Sequence, residues 1–169
     1  MPVNERFLWA VHLLDVKPND SILEIGCGVG ILVELLAGQA VGNIVAIDQS
    51  EKMIRAAEKR NRQYIESGKV ELLPVELAKF SSQKRFSKIV AFNVNAFRKR
   101  PATEFGLVSN FLKEDGVFYL FYQLPYEADK ETIYEWKAIA TMNGFAVRNV
   151  FSKKMKPTSV NCLVLSPKR

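Results

Sequence analysis

The run Ile22-Leu23-Glu24-Ile25-Gly26-Cys27-Gly28-Val29-Gly30 constrains the chain more than any other segment. A short apolar stretch, Ser21–Ile25, opens into three alternate glycines, and helical spacing resumes over Ile31–Ala37 before Gly38 closes it. The order is strand, tight turn, helix. Glycines in such a turn let backbone approach a ligand closely, and the first N–H groups of the helix have no intrahelical partner. A second short strand, residues 43–47, ends at Asp48, 18 positions after Gly30. A carboxylate there can accept from both hydroxyls of a ribose lying across the strand ends. The three features together indicate a ligand that carries a nucleoside.

The alternation continues along the chain. Phe7, Ala10, Val11 and Leu14 predict a helix ahead of the first strand, stopped by Pro18-Asn19-Asp20. Ser50 is the expected cap of a long helix carrying Met53, Ala56 and Ala57, with Glu51 in its first turn, where the helix dipole favours an acid. Residues 70–73 and 88–94 predict the third and fourth strands, and 97–115 a helix with Phe105, Val108, Phe111 and Leu112 on one face. A fifth strand is expected over 116–122, then a helix over Lys130–Met142 with Ile133, Trp136 and Ala140 inward. Strands at 145–151 and 159–165 close the chain with only residues 152–158 between them. The expected fold is α/β: an open, doubly wound, seven-stranded sheet, mostly parallel, with a C-terminal antiparallel β-hairpin at one edge.

Composition excludes several classes. A chain of 169 residues that is 48% hydrophobic and 25% charged is neither disordered, collagenous nor disulfide-stapled. Its length predicts one domain over 1–169, with enough apolar material for one core. The longest nearly unbroken apolar stretch, 117–124, falls far short of the ~18 residues a membrane span needs. The polar start, with Glu5 and no apolar run behind it, does not read as a signal peptide. Cys27 and Cys162 form neither a CxxC pair nor a metal-ligand spacing, so no metal is expected and a reducing cytoplasm is the expected compartment.

The dinucleotide fingerprint needs a small residue three positions after its second glycine, but Ile31 stands there and would crowd a pyrophosphate. Glu24 adds a negative charge where a pyrophosphate would be repelled and a cationic amino-acid group tolerated. At these residues the chain resembles the class I S-adenosylmethionine-dependent methyltransferases. Glu24 to Gly30 is similar to that family's E/D-x-G-x-G-x-G motif. Val45-Ala46-Ile47-Asp48-Gln49-Ser50-Glu51-Lys52-Met53 resembles its second motif, and Val70 to Leu77 its third strand, which delivers an acid to the adenine. Leu112-Lys113-Glu114-Asp115-Gly116-Val117 is similar to its L-K-x-x-G turn. Phe86-Ser87-Lys88-Ile89-Val90 resembles its F-D-x-I/V strand, with Ser87 in place of the usual Asp.

The resemblance spans nearly the whole chain and implies a Rossmann-like methyltransferase that uses S-adenosylmethionine and releases S-adenosylhomocysteine. It implies Gly26 and Gly28 along the methionine part, with Cys27 and Gly30 in the same loop and Glu24 near the ammonium. It implies Asp48 on the ribose diol with Gln49 at its edge, Glu76 accepting from the adenine amino group, the Leu77 N–H facing a ring nitrogen, and the Asn93 backbone near the methionine amine.

Methyl transfer from a sulfonium is an in-line displacement, so orientation and desolvation supply most of the acceleration, and a base is needed only if the acceptor must lose a proton. After the fourth strand the chain reads Asn93-Val94-Asn95-Ala96-Phe97, without the Asn-Pro-Pro-Tyr or Asp-Pro-Pro-Tyr of adenine and glutamine N-methylating families. Cys27 and Cys162 read as buried filler rather than nucleophiles. His12, the single histidine, lies off the Phe7/Val11/Leu14 face, and its two readings are a solvated side chain and a base on a first helix (within 1–20) that covers the site. Tyr122, Gln123 and Tyr126 come at and after the end of the fifth strand, where an acceptor pocket is expected. No base is singled out.

Charge is unevenly placed around a net +6: residues 77–103 and 136–169 each hold seven basic side chains and no acid. Arg98, Lys99 and Arg100 follow the fourth strand, and Lys153, Lys154 and Lys156 the sixth. These six are expected at the carboxyl edge, where α/β sheets bind ligands. Lys84, Arg85, Lys168 and Arg169 are expected at the opposite edge. A cationic rim suits an anionic acceptor: a phosphorylated or carboxylated metabolite, an anionic lipid surface or RNA; a purely solubilising rim is the plainer alternative. The small size favours a small-molecule acceptor, with Arg98 and Lys154 as candidate contacts. Competing readings are an RNA-directed enzyme and a non-catalytic cofactor-binding partner subunit, which an exposed apolar patch near Phe97 or Trp136 would favour. A nicotinamide oxidoreductase is disfavoured by Ile31 and Glu24.

Overall fold

The central strands are near-continuous apolar runs buried on both sides, so the sheet is covered on both faces and helices must supply the covers. In a computed structural model of the protein, which describes residues 3–39 and 42–168, the elements run in this order: α1 (Val3–Leu14), β1 (Ser21–Ile25), α2 (Ile31–Ala37), β2 (Asn43–Asp48), α3 (Glu51–Glu66), β3 (Val70–Pro74), a 3₁₀ turn (Leu77–Lys79), β4 (Phe86–Phe92), α4 (Ala96–Lys99), α5 (Pro101–Phe111), β5 (Leu112–Tyr122), α6 (Lys130–Met142), β6 (Phe145–Lys153) and β7 (Val160–Pro167). The seven strands form one sheet in the order β3-β2-β1-β4-β5-β7-β6. All neighbours from β3 to β5 are parallel, while β7 runs antiparallel to both β5 and β6. The expected Rossmann-like sheet with a terminal hairpin is therefore present, with β7 inserted beside β5 and β6 at the edge.

On one face Ile22, Val90 and Phe121 pack with Leu14, Leu32, Leu36 and Ile54 from α1, α2 and α3. On the other, Leu23, Ile89 and Phe118 pack with Phe105, Val108 and Trp136 from α5 and α6. Ser50 caps α3 by accepting from the Met53 N–H. The buried positions of that helix are Ile54, Ala57 and Asn61, while Met53 is exposed.

The boundaries around β4, α5 and β5 depart most from the sequence reading. β4 begins at Phe86 and ends at Phe92, because Asn93 takes a left-handed φ of 56° that turns the chain out of the sheet. The helix expected over 97–115 is two: Pro101, which disfavours helix at the residue before it, starts α5 after a break at Arg100. Leu112 belongs to β5, where it pairs with Phe86 ahead of a register shift, so residues 112–115 extend the strand instead of the helix. Phe97 and Trp136, where an exposed apolar patch was considered, are both buried.

Ser87 at the amino end of β4 has a partner that accounts for the missing acid. Its hydroxyl donates to Asp20 Oδ1 at 2.7 Å, and Asp20 Oδ2 pairs with Lys88 Nζ at 2.7 Å. Burial pushes the Asp20 carboxyl up, but Lys88, the Lys17 N–H and Ser87 outweigh it and hold it below the usual carboxylate range. The charge at this corner comes from the preceding turn.

Candidate functional site

The glycine turn is clamped from two sides. Gly26, Gly28 and Gly30 have φ of 72°, 55° and 73°, values that suit glycine and strain other residues. The N–H groups of Gly26 and Cys27 both donate to the Ile47 carbonyl, at 2.8 and 3.0 Å. Asp48 continues the clamp: Oδ2 accepts from the Gly28 N–H and Oδ1 from the Ser50 N–H, each at 2.9 Å. Each of these oxygens keeps further acceptor capacity. From behind, the buried Asn61 Nδ2 donates to the Gly30 and Ala57 carbonyls, both at 3.0 Å, and Arg60 Nε donates to the Val29 carbonyl at 3.1 Å. A Cβ at Gly30 would lie 2.6 Å from Asn61 Nδ2, whereas one at Gly28 would meet nothing within 4 Å. The turn is packed at its helix end and open at its middle. Asn61 and Arg60 were not foreseen; the available signal was Asn61 on the same helical stripe as Ile54 and Ala57.

A cavity of about 610 Å³ lies along the carboxyl ends of β1, β2 and β4, within the usual range for ligand pockets. It brings together Gly26, Asp48, Gln49, Glu76, Leu77 and Asn93, contributed by four separate loops. Val94, Asn95 and Ala96 line it from the loop after β4, and Lys99, Arg100 and Glu104 from α4 and α5. Cys27, Gly28 and Gly30 are not among its lining, and neither is Glu24. Glu24 is 3% exposed, and its Oε2 has no hydrogen-bond partner. Burial, helped by the charge of Asp48, pushes its carboxyl up to about 8. A buried acid with an unpaired oxygen beside a second carboxylate is an environment that a cation would relieve. Glu76 is half-buried and pairs with Lys79 at 3.0 Å, which holds its carboxyl below the ordinary range. Burial also pushes the Cys27 and Cys162 thiols up, and both remain free and buried.

The candidate acceptor residues fare differently. Gln123 is a strut: it accepts from Arg6 Nη1 at 3.0 Å and donates through Nε2 to the Thr158 carbonyl at 2.9 Å. Its N–H donates to Asn93 Oδ1 at 2.7 Å. Arg6 in turn stacks over the rings of Phe7 and Phe92, so the start of α1 reaches the carboxyl edge of β4 and β5. Tyr122 is buried against Trp136 at 4.7 Å between ring centres, and burial pushes its hydroxyl up, so it belongs to the core. Tyr126 is 55% exposed and outside the cavity lining.

Of the two readings of His12, the structure favours the solvated side chain over the base. His12 is exposed in the last turn of α1, and Lys88 Nζ bonds the Leu14 and Asp15 carbonyls from the start of β4. That is the amino end of the sheet, opposite the cavity. Arg98 lines a separate groove with Glu135 and Trp136, and Lys154 is exposed in the β6–β7 connection. Among the described residues Arg98, Lys99, Lys153, Lys154 and Lys156 form no ion pair, whereas Arg100 pairs with Glu104 at 3.2 Å. Arg85 bonds the Asn110 carbonyl at the other edge, and Arg169 lies outside the described residues. Among the described residues no group of three or more His, Cys, Asp or Glu could hold a metal ion, and no helix is long and apolar enough to cross a membrane.

The profile of the methyltransferase domain family matches residues 6–155, which includes every loop of the cavity. The chain belongs to that family. Methyltransferase-domain relatives share its sequence only locally: 24-methylenesterol C-methyltransferase 2 of Arabidopsis thaliana is 38% identical over 53 residues, 31% of this chain and 15% of that protein. Among solved structures, N-methyltransferase NodS from Bradyrhizobium japonicum WM9 superposes with a TM-score of 0.77 at 16% identity, covering 100% of both chains. Magnesium protoporphyrin IX methyltransferase from Synechocystis PCC 6803, solved with bound SAM, gives 0.73 at 19% identity, covering 99% of this chain and 78% of that one. At these identities the structural likeness is one of fold.

Proposed function

We propose that this methyltransferase-domain chain binds S-adenosylmethionine in the cavity at the carboxyl ends of β1, β2 and β4 and transfers its methyl group to a small anionic acceptor. The observation that carries the reading is the convergence of Gly26, Asp48, Gln49, Glu76, Leu77 and Asn93 on one cavity, beside a buried Glu24 with an unpaired oxygen. The residues fit the cofactor's chemistry. Glu24 suits its ammonium, the free acceptor capacity of Asp48 suits the two ribose hydroxyls, and Glu76 with the Leu77 N–H suits the donor and acceptor edge of adenine. When bound, the cofactor supplies a methyl group activated on a sulfonium. The chain's part is to hold and orient it, and to exclude water with the loop after β4 and the Arg6–Gln123 strut.

The anionic acceptor rests on Arg98 and Lys99 after β4 and on Lys153, Lys154 and Lys156 at and after the end of β6, cations at the carboxyl edge that form no ion pair among the described residues. The experiment is calorimetric titration with S-adenosylhomocysteine, with Asp48→Ala as the comparison. Saturable binding that is lost in the variant is expected; no binding by folded wild-type protein overturns the reading. Turnover of anionic compounds, once found, should weaken as salt rises, and a salt-insensitive KM overturns the anionic assignment.

A further inference from the structure

One acid in the cavity has no role in the reading above. Glu104, in the first turn of α5, is 1% exposed yet lines the cavity, and its Oε1 makes no hydrogen bond although Arg100 Nη2 lies 3.2 Å away. An acid on the buried stripe with Phe105, Val108 and Phe111 is costly unless something satisfies it. Burial pushes its carboxyl up against the pull of Arg100, and the nearby charge of Glu76 adds to the rise. Glu76 reaches the same cavity from the loop after β3. Two carboxylates therefore share one cavity from separate walls, each steadied by its own cation: Glu76 by Lys79 and Glu104 by Arg100. Such a pair is matched to a ligand group with two N–H donors on one nitrogen.

We infer that Glu104 is a second reader of the cofactor's adenine, accepting one N–H of the exocyclic amino group while Glu76 accepts the other. This deepens the cofactor reading and rests on it. The amino group's two N–H bonds diverge in the ring plane, so acceptors on separate walls can take both, and Arg100 acts as a positioning residue by holding the Glu104 carboxylate toward the cavity.

The test is calorimetry of the full chain with S-adenosylhomocysteine and its N6-methyl and N6,N6-dimethyl derivatives. Wild-type protein should lose affinity in two successive steps, roughly tenfold or more each, because a hydrogen bond to a charged group is lost each time. In Glu104→Met, which keeps the volume and removes the acceptor, binding of the parent should fall by a similar factor. Its difference from the N6-methyl derivative should shrink to within about threefold. Wild-type protein that binds the N6-methyl derivative as tightly as the parent overturns the inference, whether or not the variant folds. A folded Glu104→Met with wild-type affinity and selectivity overturns it as well. Wild-type protein that binds none of the three overturns the cofactor reading itself, a result distinct from either.

Discussion

On the β1–β2 side of the cavity the glycine turn is held by hydrogen bonds: Asp48 takes the Gly28 and Ser50 N–H groups, Ile47 takes two more, and Asn61 and Arg60 hold the turn from behind. Elsewhere along the carboxyl edge, α4 and the end of β6 with the segment after it carry Arg98, Lys153, Lys154 and Lys156, which form no ion pair among the described residues. The first region is preorganised by backbone, so it suits one ligand of fixed shape; the second is set by flexible cations, which steer by charge without defining a shape. On the proposed reading, cofactor recognition belongs to the hydrogen-bonded turn and acceptor choice to the charged surface.

The strongest way to break this contrast is to fill the packed end of the turn. Gly30→Val would set a side chain at φ 73° with Asn61 Nδ2 at 2.6 Å and Ala57 Cβ at 2.8 Å from its Cβ. A loss of about 3 kcal/mol or more is expected, read by denaturant unfolding, with no cofactor binding left. Next comes Asp48→Ala, which removes the acceptor for two loop N–H groups. Stability should fall by about 1–3 kcal/mol, and affinity for S-adenosylhomocysteine at least a hundredfold by calorimetry.

Glu24 sharpens the contrast through pH. Its folded carboxyl titrates at about 8 against an ordinary 4.5, so the folded state holds a proton that the unfolded state releases. Stability from this group is full below about 4.5 and falls as pH rises through about 8. Glu24→Gln should remove that slope, measured as unfolding free energy at intervals from pH 5 to 8.5. On the proposed reading, in which Glu24 serves the cofactor's ammonium, it should also weaken S-adenosylhomocysteine binding about tenfold. The smallest effects belong to the far side and to the wrong end of the sheet. Lys154→Ala and His12→Ala should each change stability by less than about 0.5 kcal/mol and leave S-adenosylhomocysteine affinity within twofold, by melting and titration.

Local patterns were read directly. The bounds of β1, α2 and α6, the Ser50 cap and the terminal hairpin follow from residues that touch their own neighbours in sequence. The end of β4 did not, because an asparagine that adopts a left-handed φ, as Asn93 does, looks like any strand residue until Gln123 supplies the N–H that its side chain accepts. Leu112 read as helical for a similar reason: its strand partner, Phe86, is remote in sequence.

In the cavity, Gly26 and Asp48 were legible because a strand end and the turn after it carry their own spacing, and Glu76 only through the resemblance of residues 70–77 to the family's third strand. Tyr122 as core, Gln123 as a strut, Asn61 behind the turn and Glu104 in the cavity were decided by segments that meet only after folding. The alternating α/β order, the glycine turn and the acid at the end of β2 are written in contiguous residues, since period and spacing are local properties. Only tertiary structure decided which acids became buried, which cations stayed unpaired and that His12 faces away, since burial and pairing depend on elements brought together across the sheet.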